Sequence, residues 1–152
     1  NVVALIKESN PKASIITTVS PVRHLKDGFV DNNLSKAHLI TAIHHVLSGE
    51  SLLKTLFYFP SYEIMMDELR DYRFYKEDMI HPNNTAVSII WEAFNKAWIS
   101  SETVPLQKAI LTIQSSLEHK PFNPNSEDYL LFIRNLEAKI SLIKKDVPHI
   151  KF

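Results

Sequence analysis

The fold of this chain follows from Ser14-Ile15-Ile16-Thr17-Thr18-Val19, which contains five consecutive β-branched residues. β-Branched side chains favour strands, and an unbroken run of them predicts a strand buried on both faces, as in a parallel sheet. Pro21 ends this strand. A second apolar run, Leu56-Phe57-Tyr58-Phe59, is closed by Pro60 and predicts another strand.

A helix is predicted between the two strands. Its apolar side chains recur at helical spacing from Ser35 to Leu47, whereas Leu25 to Asn33 is expected to be a loop around the Asp27-Gly28 turn signal. Strand, helix and strand in this order favour parallel pairing through a right-handed crossover. Two strands make a very small sheet with unpaired edges, so the domain is expected to be incomplete without further strands. Those strands would come from additional sequence or from a second chain.

Three amphipathic helices are predicted after the second strand. In the first, Trp91 and Trp98 lie on the apolar stripe and are expected to be core residues. Asparagine and serine are good helix caps, and proline is tolerated at the first helical position. The three helices are expected to start at Asn83 or Asn84, near Pro105, and after Ser126.

The composition is that of an ordinary globular protein, with 45% hydrophobic and 22% charged residues. Net charge is zero, which gives no electrostatic reason to expect a nucleic-acid or membrane partner. The absence of cysteine excludes disulfides, thiolate metal sites and a cysteine nucleophile. No apolar run long enough to span a bilayer and no signal peptide is visible, so a cytoplasmic location is expected.

The stretch that carries chemistry is Asp78-Met79-Ile80-His81-Pro82. One turn can bring residues i and i+3 together, and a carboxylate on Nδ1–H of a histidine leaves Nε2 free to take a proton from a nucleophile. The stretch follows the second strand, and open α/β sheets place their sites at the carboxyl ends of strands. Asp78 and His81 are therefore the candidate catalytic residues. The alternative is a surface aspartate beside a helix-capping histidine.

Arg23 and His24 follow the first strand and are candidate substrate-binding residues, for example for a substrate carboxylate. The alternative for Arg23 is a loop held by an ion pair with Glu63 or Asp67. His44 and His45 point about 100° apart on a helix and cannot share a metal ion. No metal site and no cofactor are expected, and two glycines cannot build a phosphate-binding loop.

Four segments resemble the GSCFA family, and the resemblance runs from about Ser14 to the C-terminus. They are Thr18-Val19-Ser20-Pro21-Val22-Arg23-His24, then Tyr62 to Tyr75, then Glu77-Asp78-Met79-Ile80-His81-Pro82, and Pro121-Phe122-Asn123-Pro124. The family is grouped with the SGNH, or GDSL-like, hydrolases. That resemblance implies a flavodoxin-like three-layer α/β/α fold with parallel strands. It also implies hydrolysis or transfer of ester-linked acyl groups, often on carbohydrate, with Asp78 and His81 in the group's Asp-x-x-His block.

One departure from the family pattern changes the expectation. The Gly-Ser-Cys-Phe-Ala segment that gives the family its name and carries its serine does not occur in this sequence. The resemblance therefore implies the C-terminal part of a hydrolase domain, which would be inactive alone. Residues 1–100 are expected to form this α/β part, and residues 101–152 a helical hairpin packed on it.

Two other functions remain open from the sequence. The chain could be a non-catalytic interaction module that forms a homodimer through its exposed sheet edge. It could also be a degenerate enzyme that keeps a carbohydrate-binding surface without chemistry. In the esterase interpretation, the partner is a small-molecule or carbohydrate ester.

Overall fold

A computed structural model of the chain describes residues 2–49 and 55–152. Contacts divide it into two compact units, one ending at Ala97 and one beginning at Trp98. In chain order the principal elements are α1 (Val2–Ser9), β1 (Ile15–Thr18), α2 (Phe29–Leu47), β2 (Leu56–Phe59), α3 (Ser61–Glu63), α4 (Asn84–Trp98), α5 (Val104–Leu117) and α6 (Glu127–Asp146). The packing of the helical part on the first unit stays a prediction.

The two predicted strands are present and pair in parallel. Ile15 is opposite Leu56 and Thr18 is opposite Phe59, with α2 as the connection between the strands. The predicted strand–helix–strand unit is therefore confirmed. Within the described ranges, β1 pairs with β2 alone, so its other edge carries no neighbouring strand.

Helices lie against both faces of this small sheet. The ring of His44 in α2 contacts Tyr58 with centroids 5.0 Å apart, and Phe94 in α4 contacts Phe59 at 5.1 Å. Neighbouring residues of a strand point to opposite faces, so α2 and α4 cover opposite sides. The chain is thus mixed α/β, while the wider flavodoxin-like sheet stays a prediction.

The prediction that β1 is buried on both faces is wrong. Its residues alternate in exposure, and Ile16 keeps 38% of its surface accessible. The physical reason is that α4 covers this face over β2, whereas no strand of the described chain pairs with the other edge of β1. Trp91, expected in the core, is 52% exposed for the same reason, because it lies on the α4 face next to the uncovered part of the sheet.

The start of α2 also differs from the prediction. The helix begins at Phe29, directly after Gly28 in a left-handed conformation with φ 94°, and not near Ser35. Its first turns bury the polar side chains of Asn32 and Lys36. Apolar periodicity could not detect these turns, because the residues that face inward there are polar.

The second unit is an antiparallel helical hairpin, as predicted. His119, just after α5, contacts Phe132 near the start of α6, while Ile113 lies beside Ile143 near the end of α6. Ile113, Leu136 and Ile143 form its buried cluster. Ser126 caps α6 by accepting a hydrogen bond from Tyr129 N–H at 3.3 Å. Among the helices of residues 2–49 and 55–152, none has the length and apolar character needed to cross a bilayer.

Candidate acid–base site

The Asp78–His81 pair lies in a loop closed by backbone hydrogen bonds. Tyr75 and Pro82 form an antiparallel bridge, and Lys76 N–H donates to the His81 carbonyl at 2.8 Å. Inside the loop Met79 adopts a left-handed conformation with φ 58°, which turns the chain sharply. This closed loop fixes the backbone positions from which the Asp78 and His81 side chains project.

Asp78 accepts hydrogen bonds on both carboxylate oxygens. Its Oδ1 accepts from Ile80 N–H and His81 N–H, each at 2.9 Å. Its Oδ2 lies 2.7 Å from Nδ1 of His81. The predicted contact between the two side chains is therefore present, while His81 Nε2 makes no hydrogen bond to any described residue.

The electrostatics favour an ionised Asp78. The backbone N–H of His81, the backbone N–H of Ile80 and the His81 ring together lower the pKa of Asp78 from 3.8 to about 2. A carboxylate on Nδ1 selects the tautomer with a proton on that nitrogen and directs a basic Nε2 outward. Because 53% of the His81 side chain and 44% of the Asp78 side chain are exposed, a substrate can reach the ring.

The end of the loop that holds the pair reaches the carboxyl end of the sheet. Pro82, directly after His81, lines one groove with Thr18 and Phe59, the last residues of the two strands. The groove has a volume of about 440 Å³ and is almost wholly apolar. Its other lining residues are Ile16, Pro21, Ser61, Val87, Ile90, Trp91 and Phe94.

Asn83 joins this loop to the helix that follows. Its Oδ1 accepts from Ala86 N–H at 3.1 Å, the bond of a helix cap, so the sequence prediction of Asn83 or Asn84 resolves to Asn83. Its Nδ2 donates to the Arg73 carbonyl at 2.6 Å and its backbone N–H donates to Phe74 O at 2.9 Å. One asparagine thus starts α4 and holds the segment leading into the loop.

Arg23 lies beside this loop without a carboxylate partner. Its guanidinium carbon is 5.4 Å from the ring centre of Tyr75, a cation–π contact. The alternative of an ion pair with Glu63 or Asp67 is wrong, since no described carboxylate lies within 4.0 Å of Arg23. Glu63 instead accepts from the Tyr58 hydroxyl at 2.7 and 2.9 Å.

His24 is not brought to the Asp78–His81 pair. Its backbone N–H donates to Asn32 Oδ1 at 2.7 Å, and its exposed ring Nδ1 lies 3.6 Å from Asp27 Oδ2. Its assignment as a substrate-binding residue stays a prediction.

Sequence reasoning missed three buried polar residues that hold the loop after β1. Lys36 Nζ donates to the Ser20 carbonyl at 2.8 Å, and Asn32 accepts from the next part of the loop. Ser61 donates to the Val19 carbonyl at 2.8 Å. The available signal was the spacing of Asn32 and Lys36, which puts two polar side chains one turn apart on one helix face.

No three histidine, aspartate or glutamate side chains converge on a metal-binding geometry within the part of the chain that the structure describes.

Comparison with known families identifies both parts of the chain. A model described as the GSCFA family matches residues 1–94, and one described as the GSCFA domain protein, C-terminal domain, matches residues 110–152. No curated protein and no solved structure matches the chain.

Proposed function

Because the chain belongs to the GSCFA family, we propose that it supplies the acid–base half of an SGNH-type serine esterase or acyltransferase site. The observation that carries the proposal is the 2.7 Å contact between Asp78 Oδ2 and His81 Nδ1, in a loop whose end reaches the carboxyl end of the parallel strands. The substrate is an acyl ester, of which an O-acylated carbohydrate is one example.

In the proposed reaction, His81 Nε2 takes the proton of a serine hydroxyl as the serine oxygen attacks the ester carbonyl. The imidazolium then gives this proton to the departing alcohol, which leaves an acyl-serine. Water or a sugar hydroxyl then attacks the acyl-serine. His81 takes the proton of this attacking group and returns it to the serine oxygen as the acyl group leaves. Asp78 stays ionised throughout, holds the ring orientation and stabilises the imidazolium.

The serine and the oxyanion donors come from a segment other than these 152 residues. The free edge of β1 supports this proposal, because a strand there would pair its unsatisfied backbone groups. The exposed faces of Ile16 and Trp91 support it as well, because a covering helix would bury them. The completed domain would have the flavodoxin-like three-layer fold, and this chain alone would be inactive.

The test compares esterase activity of a longer protein that carries the family's serine segment with that of a His81→Ala variant. We expect p-nitrophenyl acetate hydrolysis to fall by at least about a hundredfold, since catalytic units of this kind lose orders of magnitude when one member is removed. His38→Ala is the matched control, because His38 is an exposed residue of α2. Equal rates for wild type and His81→Ala would remove His81 from the mechanism.

A second test needs only the 152-residue chain. The ring ¹⁵N shifts of the neutral form of His81 should show the proton on Nδ1 and an unprotonated Nε2, and Asp78→Asn should disturb this preference. A neutral ring with the proton on Nε2 in the wild-type chain would contradict the proposed role of Asp78.

Self-association is the competing function, in which a second copy covers the free edge of β1 and the groove. Two identical edges related by a twofold axis can pair with each other. Self-association predicts a dimer in light scattering. Ile16→Lys should disrupt this dimer, whereas Val30→Lys, at an exposed position of α2, should not. If the chain stays monomeric at every concentration up to about 1 mM, this alternative is wrong.

A further inference from the structure

The loop between α5 and α6 holds a phenylalanine fully in solvent. Phe122 is 108% exposed, whereas the nearby Phe132 contacts the rings of His119 and Tyr129. A phenylalanine is usually at least partly buried, because its apolar surface is unfavourable in water. A single exposed apolar residue needs no explanation by itself, but Phe122 also lines a cavity.

This loop is restrained by local hydrogen bonds. Asn123 Oδ1 accepts from Asn125 N–H at 3.1 Å, and the Asn123 carbonyl accepts from the Ser126 hydroxyl at 3.0 Å. Prolines at positions 121 and 124 fix two further backbone torsions. Phe122 is therefore presented by a restrained loop, so a ligand that binds there has little loop ordering to impose.

The cavity beside Phe122 has a volume of about 410 Å³, which is within the range of small-molecule sites. Its lining combines the rings of Phe122, Tyr129 and Phe132 with the polar side chains of Asn123 and Asp128. Amide and hydroxyl groups can donate hydrogen bonds and a carboxylate accepts them, so a ligand finds partners of both kinds. All of these residues belong to the second unit.

The chemistry of the lining argues against a charged ligand. Among the described residues that line the cavity there is no lysine or arginine, so an anion would lack the usual partner. Asp128 lies in the first turn of α6, where the positive end of the helix dipole stabilises its charge. A cation is therefore not needed to balance Asp128. The ligand that fits best is neutral, with an apolar surface and several hydroxyls.

We propose that the loop between α5 and α6 and the first turns of α6 bind an uncharged pyranose sugar. One face of such a ring carries C–H bonds and packs on the ring of Phe122. Hydroxyls at the rim of the sugar bond to Asn123, Asp128 and Tyr129. The site uses no residue of the Asp78–His81 loop, and the proposal stands without ester chemistry, because sugar binding is measured without catalysis.

Binding is tested by titrating the ¹⁵N-labelled 152-residue chain with methyl β-D-glucopyranoside, methyl β-D-galactopyranoside and methyl α-D-mannopyranoside, one at a time. For at least one sugar we expect a dissociation constant on the order of 1 mM, with saturable shifts at the backbone amides of Asn123 and Tyr129. Sorbitol has the hydroxyls without a ring and should not produce these shifts. Absence of saturable shifts with all three sugars up to about 100 mM would overturn the site.

Two substitutions, each with a matched control, test which residues bind the sugar. Phe122→Ala should weaken binding at least about tenfold, and Phe152→Ala, the same change outside the cavity, should leave the affinity unchanged. Asp128→Ala should also weaken binding about tenfold, whereas Glu127→Ala, the same loss of charge in the first turn of α6, should not. Equal affinities of Phe122→Ala and the wild type would contradict the proposal.

Two further probes decide between classes of ligand. Tetramethylammonium tests an aromatic site for cations, and cyclohexanol tests an apolar pocket that requires a single hydroxyl. We expect both probes to bind more weakly than the sugar. If either probe binds more tightly than every sugar at the same amides, the sugar assignment is wrong.

Discussion

Asp78 uses both carboxylate oxygens before any substrate arrives. Two backbone N–H groups and the His81 ring donate to it. Asp78 is therefore poorly suited to transfer a proton and well suited to orient the His81 ring. The side chain length is part of this arrangement. A glutamate at position 78 would carry its oxygens one methylene further and could not accept both backbone bonds from the same turn.

The first residue-scale prediction concerns pH. Because the pKa of Asp78 is lowered from 3.8 to about 2, the carboxylate stabilises the loop fully above about pH 4 and loses that contribution as pH falls toward 2. The backbone amide shifts of Ile80 and His81 should therefore titrate together with a midpoint near the lowered pKa of Asp78. A midpoint near 3.8 would mean that Asp78 makes these hydrogen bonds only part of the time.

At the scale of elements, Asn83 joins the acid–base loop to α4. Asn83→Ala removes a helix cap and two side-chain bonds to the preceding segment, so we expect a loss of about 1 to 2 kcal/mol in the free energy of unfolding. Urea denaturation measures this loss. Asn84→Ala, at the exposed first position of the helix, should cost less than about 0.5 kcal/mol. Similar costs for both would contradict the role of Asn83 as the cap.

Element identity could be predicted where side chains repeat with a clear period. β1 and β2 followed from short runs of apolar and β-branched residues, and α4, α5 and α6 followed from apolar spacing with a cap or a proline at the start. The Asp78–His81 contact followed from the geometry of one turn.

The remaining features depend on tertiary contacts that produce no periodic pattern of residue types in the local sequence. The first turns of α2 bury Asn32 and Lys36 because these side chains bond to backbone groups of the loop between β1 and α2. The exposure of Ile16 depends on which strand lies beyond β1, and no residue of β1 itself encodes that neighbour. The cation–π contact of Arg23 with Tyr75 likewise joins two loops that sequence spacing cannot relate.

At the scale of the whole molecule, each unit has its own buried residues. Met65 is fully buried in the first unit, and Ile113 lies at the centre of the buried cluster of the second. Truncating either side chain to alanine leaves a cavity, which costs about 2 to 5 kcal/mol in comparable cores. The two substitutions are therefore matched in kind and differ in the unit that they affect.

Amide hydrogen exchange followed by mass spectrometry separates their effects. Ile113→Ala should accelerate exchange in α5 and α6, and Met65→Ala should accelerate it in α2, α4 and the strands. Leu111→Ala, at an exposed position two residues from Ile113, should change little. Acceleration of the whole chain by both core substitutions would show one cooperative unit, and the two-part organisation would then be wrong as a description of stability.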